Sequence, residues 1–121
     1  MAKIDDLYEI AGRKTENEVT SFSIKLNPAS RIYAAHFPET PITPGACIIQ
    51  IVLELTEKLA EKKLEIEEIK NVKFLNILSP IDNPTVNFIF TLLAVDGETV
   101  RARVEVRDPN KTFTTISILC R

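Results

Sequence analysis

The chain has 121 residues, 45% hydrophobic and 26% charged, with a net charge of −2. That size predicts one domain over 1–121 with a single modest core. With no basic run and no basic-aromatic interleaving a nucleic-acid-binding surface is excluded, and no apolar stretch reaches the length of a membrane span.

Residues 1–10 carry two aspartates and a glutamate and no apolar h-region, so no signal peptide is predicted. Residues 7–10 read as a short strand and 11–17 as a turn. Residues 19–26 place Phe22, Ile24 and Leu26 at period two, the pattern of a half-buried strand. Asn27-Pro28-Ala29-Ser30 breaks that strand, and residues 31–37 lead into a loop, residues 36–45.

The loop reads His36-Phe37-Pro38-Glu39-Thr40-Pro41-Ile42-Thr43-Pro44-Gly45 and contains the only histidine of the chain. Each proline fixes φ near −65° and removes a backbone donor, so the loop can neither pair as a central strand nor continue as helix. Three prolines within it limit the entropy lost on ordering. From Gly45 to about residue 64 the pattern turns helical. Ile48, Ile49, Ile51, Val52, Leu53, Leu55 and Leu59 make the first half apolar nearly all round, while Glu57, Lys58, Glu61, Lys62 and Lys63 turn to water. Such a helix is buried at its start, with a sheet around it. An imidazole beside a helix N-terminus pairs a proton acceptor with unpaired N–H groups suited to an oxyanion. That is the equipment for removing a proton from carbon next to a carbonyl.

The remainder alternates as strands. Residues 68–78 close at Ser79-Pro80-Ile81-Asp82-Asn83-Pro84, and residues 85–95 put Val86, Phe88, Phe90 and Leu92 on one face. Asp96-Gly97 signals a hairpin. Residues 99–107 alternate Val100, Ala102, Val104 and Val106 against Arg101, Arg103 and Glu105, and Asp108-Pro109-Asn110-Lys111 turns into residues 113–119. One helix and about six antiparallel strands make an α+β domain. Cys47 and Cys120 lack metal-ligand spacing, and one histidine cannot complete a usual zinc set. No disulfide framework is expected, which fits a reducing, cytoplasmic compartment.

On these residues the chain resembles the hotdog-fold β-hydroxyacyl-acyl-carrier-protein dehydratases of fatty-acid synthesis. Their hallmark is a His-Phe-Pro-Gly-x-Pro-x-x-Pro-Gly loop entering a central helix that bears an acidic residue. His36, Phe37, Pro38, Pro41, Pro44 and Gly45 match it, and Ile69-Lys70-Asn71-Val72-Lys73-Phe74 is similar to the family's strand after the helix. The resemblance implies an antiparallel sheet wrapped around a long central helix, and a homodimer or higher oligomer with its site at the interface. It implies a lyase that eliminates water from a 3-hydroxyacyl thioester to give a trans-2-enoyl thioester, the acyl group arriving on acyl carrier protein or coenzyme A. No cofactor, nucleic acid or membrane is implied.

The resemblance assigns the C2 proton to His36 and the thioester oxygen to the Gly45 N–H, with Phe37, Pro44, Ala46 and Glu54 around the substrate. Two positions depart from it. Glu39 replaces the first loop glycine, and Gln50 stands where the family has its catalytic carboxylate. The family's Glu-x-x-x-Gln therefore reads Gln50-x-x-x-Glu54, two side chains on one helix face. Gln50 can hold the leaving hydroxyl without giving up a proton, or simply begin the polar stripe Gln50, Glu54, Glu57, Glu61. Glu54 is either a displaced acid, needing burial to hold its proton, or an exposed glutamate paired with Lys58. Glu39 reads as a surface residue. Cys47 has either a dipole-lowered thiol or the role of a small buried residue. Arg101 and Arg103 either receive an acidic carrier protein or form a solvated face. Other classes stay open: an acyl-thioesterase with Glu54 as base, a non-catalytic acyl-thioester or carrier-protein binding module, and a dehydratase of polyene or polyketide-like synthesis.

Overall fold

A computed structural model describes residues 6–35 and 39–121. Six strands form one antiparallel sheet in the order β1-β2-β4-β5-β6-β3: β1 Tyr8–Glu16, β2 Val19–Leu26, β3 Ile66–Phe74, β4 Thr85–Asp96, β5 Thr99–Arg107 and β6 Thr112–Cys120. A short helix, α1 (Arg31–Ala35), precedes the long helix α2 (Gly45–Ala60). Strict alternation delivers one face of each central strand to the core. Phe22, Ile24 and Leu26 of β2, Val86, Phe88 and Phe90 of β4, and Val100, Ala102, Val104 and Val106 of β5 are buried together with Ile48, Ile51, Val52 and Leu55 of α2. Fully burying such a side chain contributes about 1.5–3 kcal/mol, which makes this joint the main source of stability. The sheet wraps the helix as a hotdog fold.

Several boundaries differ from expectation. β1 continues through the predicted turn to Glu16, because the extra residue around Gly12 is absorbed as a bulge between Ile10 and Gly12. The hairpin turn lies instead at Asn17-Glu18, both at positive φ (49° and 67°) between the paired Glu16 and Val19. Residues 31–35, which lead into the loop and carry no predicted element, form a short helix. Asp6 holds that helix start, accepting from the Arg31 N–H at 3.0 Å and the Ser30 hydroxyl at 3.1 Å. α2 ends at Ala60, short of the expected 64. Glu61 takes a left-handed conformation there, and the half-buried Glu57 carboxylate, expected in water, accepts the Leu64 N–H at 2.9 Å. β3 stops at Phe74, before the expected 78, and pairs only with β6 on one side.

Candidate active site

The end of the proline loop is tied down at two points before it becomes helix. The Thr43 N–H donates to the Leu78 carbonyl at 2.8 Å, and the Thr43 and Tyr33 hydroxyls are hydrogen-bonded at 2.8 Å in the interior. Pro44 occupies the N-cap position with φ −61° and ψ 144° and has no side-chain oxygen to cap the helix. The Pro44 carbonyl accepts the Cys47 N–H at 2.9 Å and the Ile48 N–H at 3.2 Å, so the N–H groups ahead of them, beginning at Gly45, are the ones without a partner inside the helix. The Phe74 ring covers this helix start: a Cβ on Gly45 would sit 2.7 Å from its Cζ. Any larger residue there would have to push the half-exposed Phe74 ring aside. Gly45, Ile48, Phe74, Leu78, Asn76 and Thr43 are among the residues lining a cleft of about 880 Å³. Pro44 is half-buried and Ala46 exposed. His36 and Phe37 lie outside the described residues, as does Pro38.

One turn into the helix is a second polar group. Gln50 Nε2 donates to Glu54 Oε2 at 2.9 Å, and the Tyr8 hydroxyl donates to Glu54 Oε1 at 2.7 Å. Glu54 is only 9% exposed. It is therefore not the solvated partner of Lys58: β1 brings Tyr8 over it, and a buried carboxylate needs donors on both oxygens. Burial, reinforced by the hydrogen bond to Glu54, drives the Tyr8 phenol well above its ordinary value. Tyr8, Gln50, Glu54, Glu57, Lys58 and Lys62 are among the residues lining a cleft of about 750 Å³. Within one chain Gly45 and Gln50 thus open into different clefts. Five positions along a helix turn a residue about 140°.

Glu39 is exposed, as expected. Cys47 is buried, and burial pushes its thiol up rather than the helix dipole pulling it down. Arg101 and Arg103 share the exposed face of β5, opposite the core. The residues missed in the sequence are Tyr8 and Phe74. Both sit in segments legible as strands, but only register and tertiary packing carry them to the helix.

No helix among the described residues is long and apolar enough to cross a membrane. Solved structures with this fold include the dehydratase heterocomplex ApeI:P from Xenorhabdus doucetiae, 21% identical, with a TM-score of 0.67 over 94% of this chain and 98% of that one. A putative thioesterase, YhdA, from Lactococcus lactis is 18% identical, with a TM-score of 0.65 over 99% of this chain and 95% of that one. An uncharacterized protein from Erwinia carotovora subsp. atroseptica is 17% identical, with a TM-score of 0.61 over 95% and 94%. No curated protein matches the chain. The sequence profile of the ApeI-like family, ApeI dehydratase, matches residues 12–113, and the chain belongs to that family.

Proposed function

We propose that the protein dehydrates a 3-hydroxyacyl thioester, carried on acyl carrier protein or coenzyme A, to the trans-2-enoyl thioester, within fatty-acid or related lipid or polyene synthesis. His36 takes the C2 proton as the thioester oxygen gains charge against the Gly45 N–H. The C2–H pair becomes the C2–C3 double bond, and the C3–O pair leaves with the hydroxyl. The imidazolium returns its proton to that oxygen, releasing water, while Gln50 holds the hydroxyl by hydrogen bond. This single-group route needs no carboxylic acid at position 50. The observation that carries the reading is one buried helix in a dehydratase-family chain. It presents a start at Gly45 without a side-chain cap and, about a turn on, the half-buried Gln50 bonded to the buried Glu54.

The working unit in this reading is a homodimer. Gly45 and Gln50 line separate clefts of one chain, which supports a site completed by the helix of a second copy. β3 offers an open edge, and the exposed apolar residues Ile69, Phe74, Leu75 and Ile77 lie on it or just after it. A thioesterase reading requires a free carboxylate to activate water. Both oxygens of Glu54, its candidate base, already accept hydrogen bonds, so dehydration is the reading adopted. Hydration of an enoyl thioester, the same reaction in reverse, with free thiol followed in parallel, tests it.

A further inference from the structure

Tyr8 has no place in the chemistry above, yet it makes a long-range side-chain contact in the cleft. Its hydroxyl bonds a residue 46 positions away, at 2.7 Å. The chain of contacts runs Tyr8 Oη to Glu54 Oε1, then Glu54 Oε2 to Gln50 Nε2, and all three side chains line one cleft. The direction of each bond is set by chemistry. A carboxylate only accepts, so the end of the Gln50 amide turned to Glu54 is its nitrogen. The carbonyl oxygen Oε1 and the second N–H of Gln50 then point elsewhere. Removing the Tyr8 hydroxyl would leave one oxygen of a buried carboxylate without its donor, and Glu54 would turn to recover one. The amide held by its other oxygen would turn with it.

We propose that Tyr8 is a positioning residue: through Glu54 it fixes the carboxamide of Gln50 so that its free oxygen and second N–H meet the 3-hydroxyl of the acyl chain. The substrate named here rests on the dehydratase reading, while the hydrogen-bonded chain does not. Glu54 is a positioning residue in the same sense, not an acid. The phenol of Tyr8, raised by burial and by Glu54, keeps its proton through the neutral range and remains a donor.

Two readouts on the full-length protein test this. The first is steady-state hydration of trans-2-octenoyl-coenzyme A by wild type, Tyr8→Phe, Gln50→Ala and the double variant. Tyr8→Phe is expected to lower kcat about tenfold, the worth of one hydrogen bond to a carboxylate, with KM changed less than about twofold. In the Gln50→Ala background the same change is expected to cost nothing further. An equal loss in both backgrounds would mean that Tyr8 acts only through the fold, and would overturn the proposal. The second readout needs no activity. Gln50 is the only glutamine of the chain, so glutamine-labelled protein gives one pair of side-chain N–H signals. Tyr8→Phe is expected to shift that pair and speed its exchange with solvent. An unchanged pair overturns the proposal whatever the kinetics. A wild type inert toward the thioester, with a Tyr8-dependent pair, would instead overturn the dehydratase reading and uphold the positioning chain.

Discussion

Gln50 and Glu54 are joined by a 2.9 Å hydrogen bond in which the amide nitrogen donates to the carboxylate. Gln50→Glu would replace that donor with a second carboxyl group facing the first. Two carboxyls in contact cannot both ionise easily, so the pair would keep a proton above the ordinary carboxylate range. That shared proton is a general acid for the leaving hydroxyl, a contribution typically worth about 10²–10⁴ in rate. The variant is therefore expected to hydrate an enoyl thioester at least about tenfold faster than wild type, the same carboxyl pair accepting the proton of the attacking water in that direction. Unchanged or lower activity would contradict the role given to position 50.

Thr114 is fully buried on β6, and its hydroxyl finds no hydrogen-bond partner among the described residues. It pairs across the sheet with Phe74 and Val106, in apolar surroundings. Thr114→Val keeps the shape and removes an unmet polar group, so it is expected to raise stability by about 1 kcal/mol. Urea unfolding measures it, and a loss of stability would mean the hydroxyl has a partner in solution.

Alkaline pH is expected to weaken the fold from the thiol range upward. Burial raises the Tyr8 and Tyr33 phenols and the Cys47 thiol, and burial with Glu57 nearby brings Cys120 to about 11. Each group is neutral when protonated, and the folded chain keeps its proton to higher pH than the unfolded chain. Their contribution is complete below the ordinary values of 9.0 for the thiols and 10.0 for the phenols, and is lost above them. Thermal unfolding from pH 7 to 11 should give a plateau and then a decline beginning near pH 9; a flat profile to pH 11 would contradict the burial of these groups.

The open edge of β3 predicts association. Ile69→Lys with Ile77→Lys puts charge on two exposed apolar positions at that edge. Sedimentation is expected to give the mass of two chains for wild type and of one for the variant, with the variant inactive. A monomeric wild type would contradict a site shared between copies.

Legibility in the sequence followed the range of the interactions. β2 and β5 were readable to the residue because period-two alternation against a core is written in the strand itself. The start of α2 was readable from Pro44-Gly45 and the apolar run after it. β1 was cut short because a turn and a bulge have similar local chemistry around a glycine, and pairing with β2 decides between them. The alternative of an exposed Glu54 paired with Lys58 fails for a related reason. The i,i+4 rule sees only the helix, whereas the donor that buries this carboxylate comes from the far edge of the sheet. Phe74 was legible as a strand residue, but not as the cover of Gly45.

The central claim is most directly tested by hydration of trans-2-octenoyl-coenzyme A and its acyl-carrier-protein counterpart, followed by loss of enoyl absorbance, for wild type beside His36→Ala. The account predicts turnover in the wild type without release of free thiol, and its loss in the variant with fold and dimer intact. Thiol release, or equal turnover in both proteins, would contradict it.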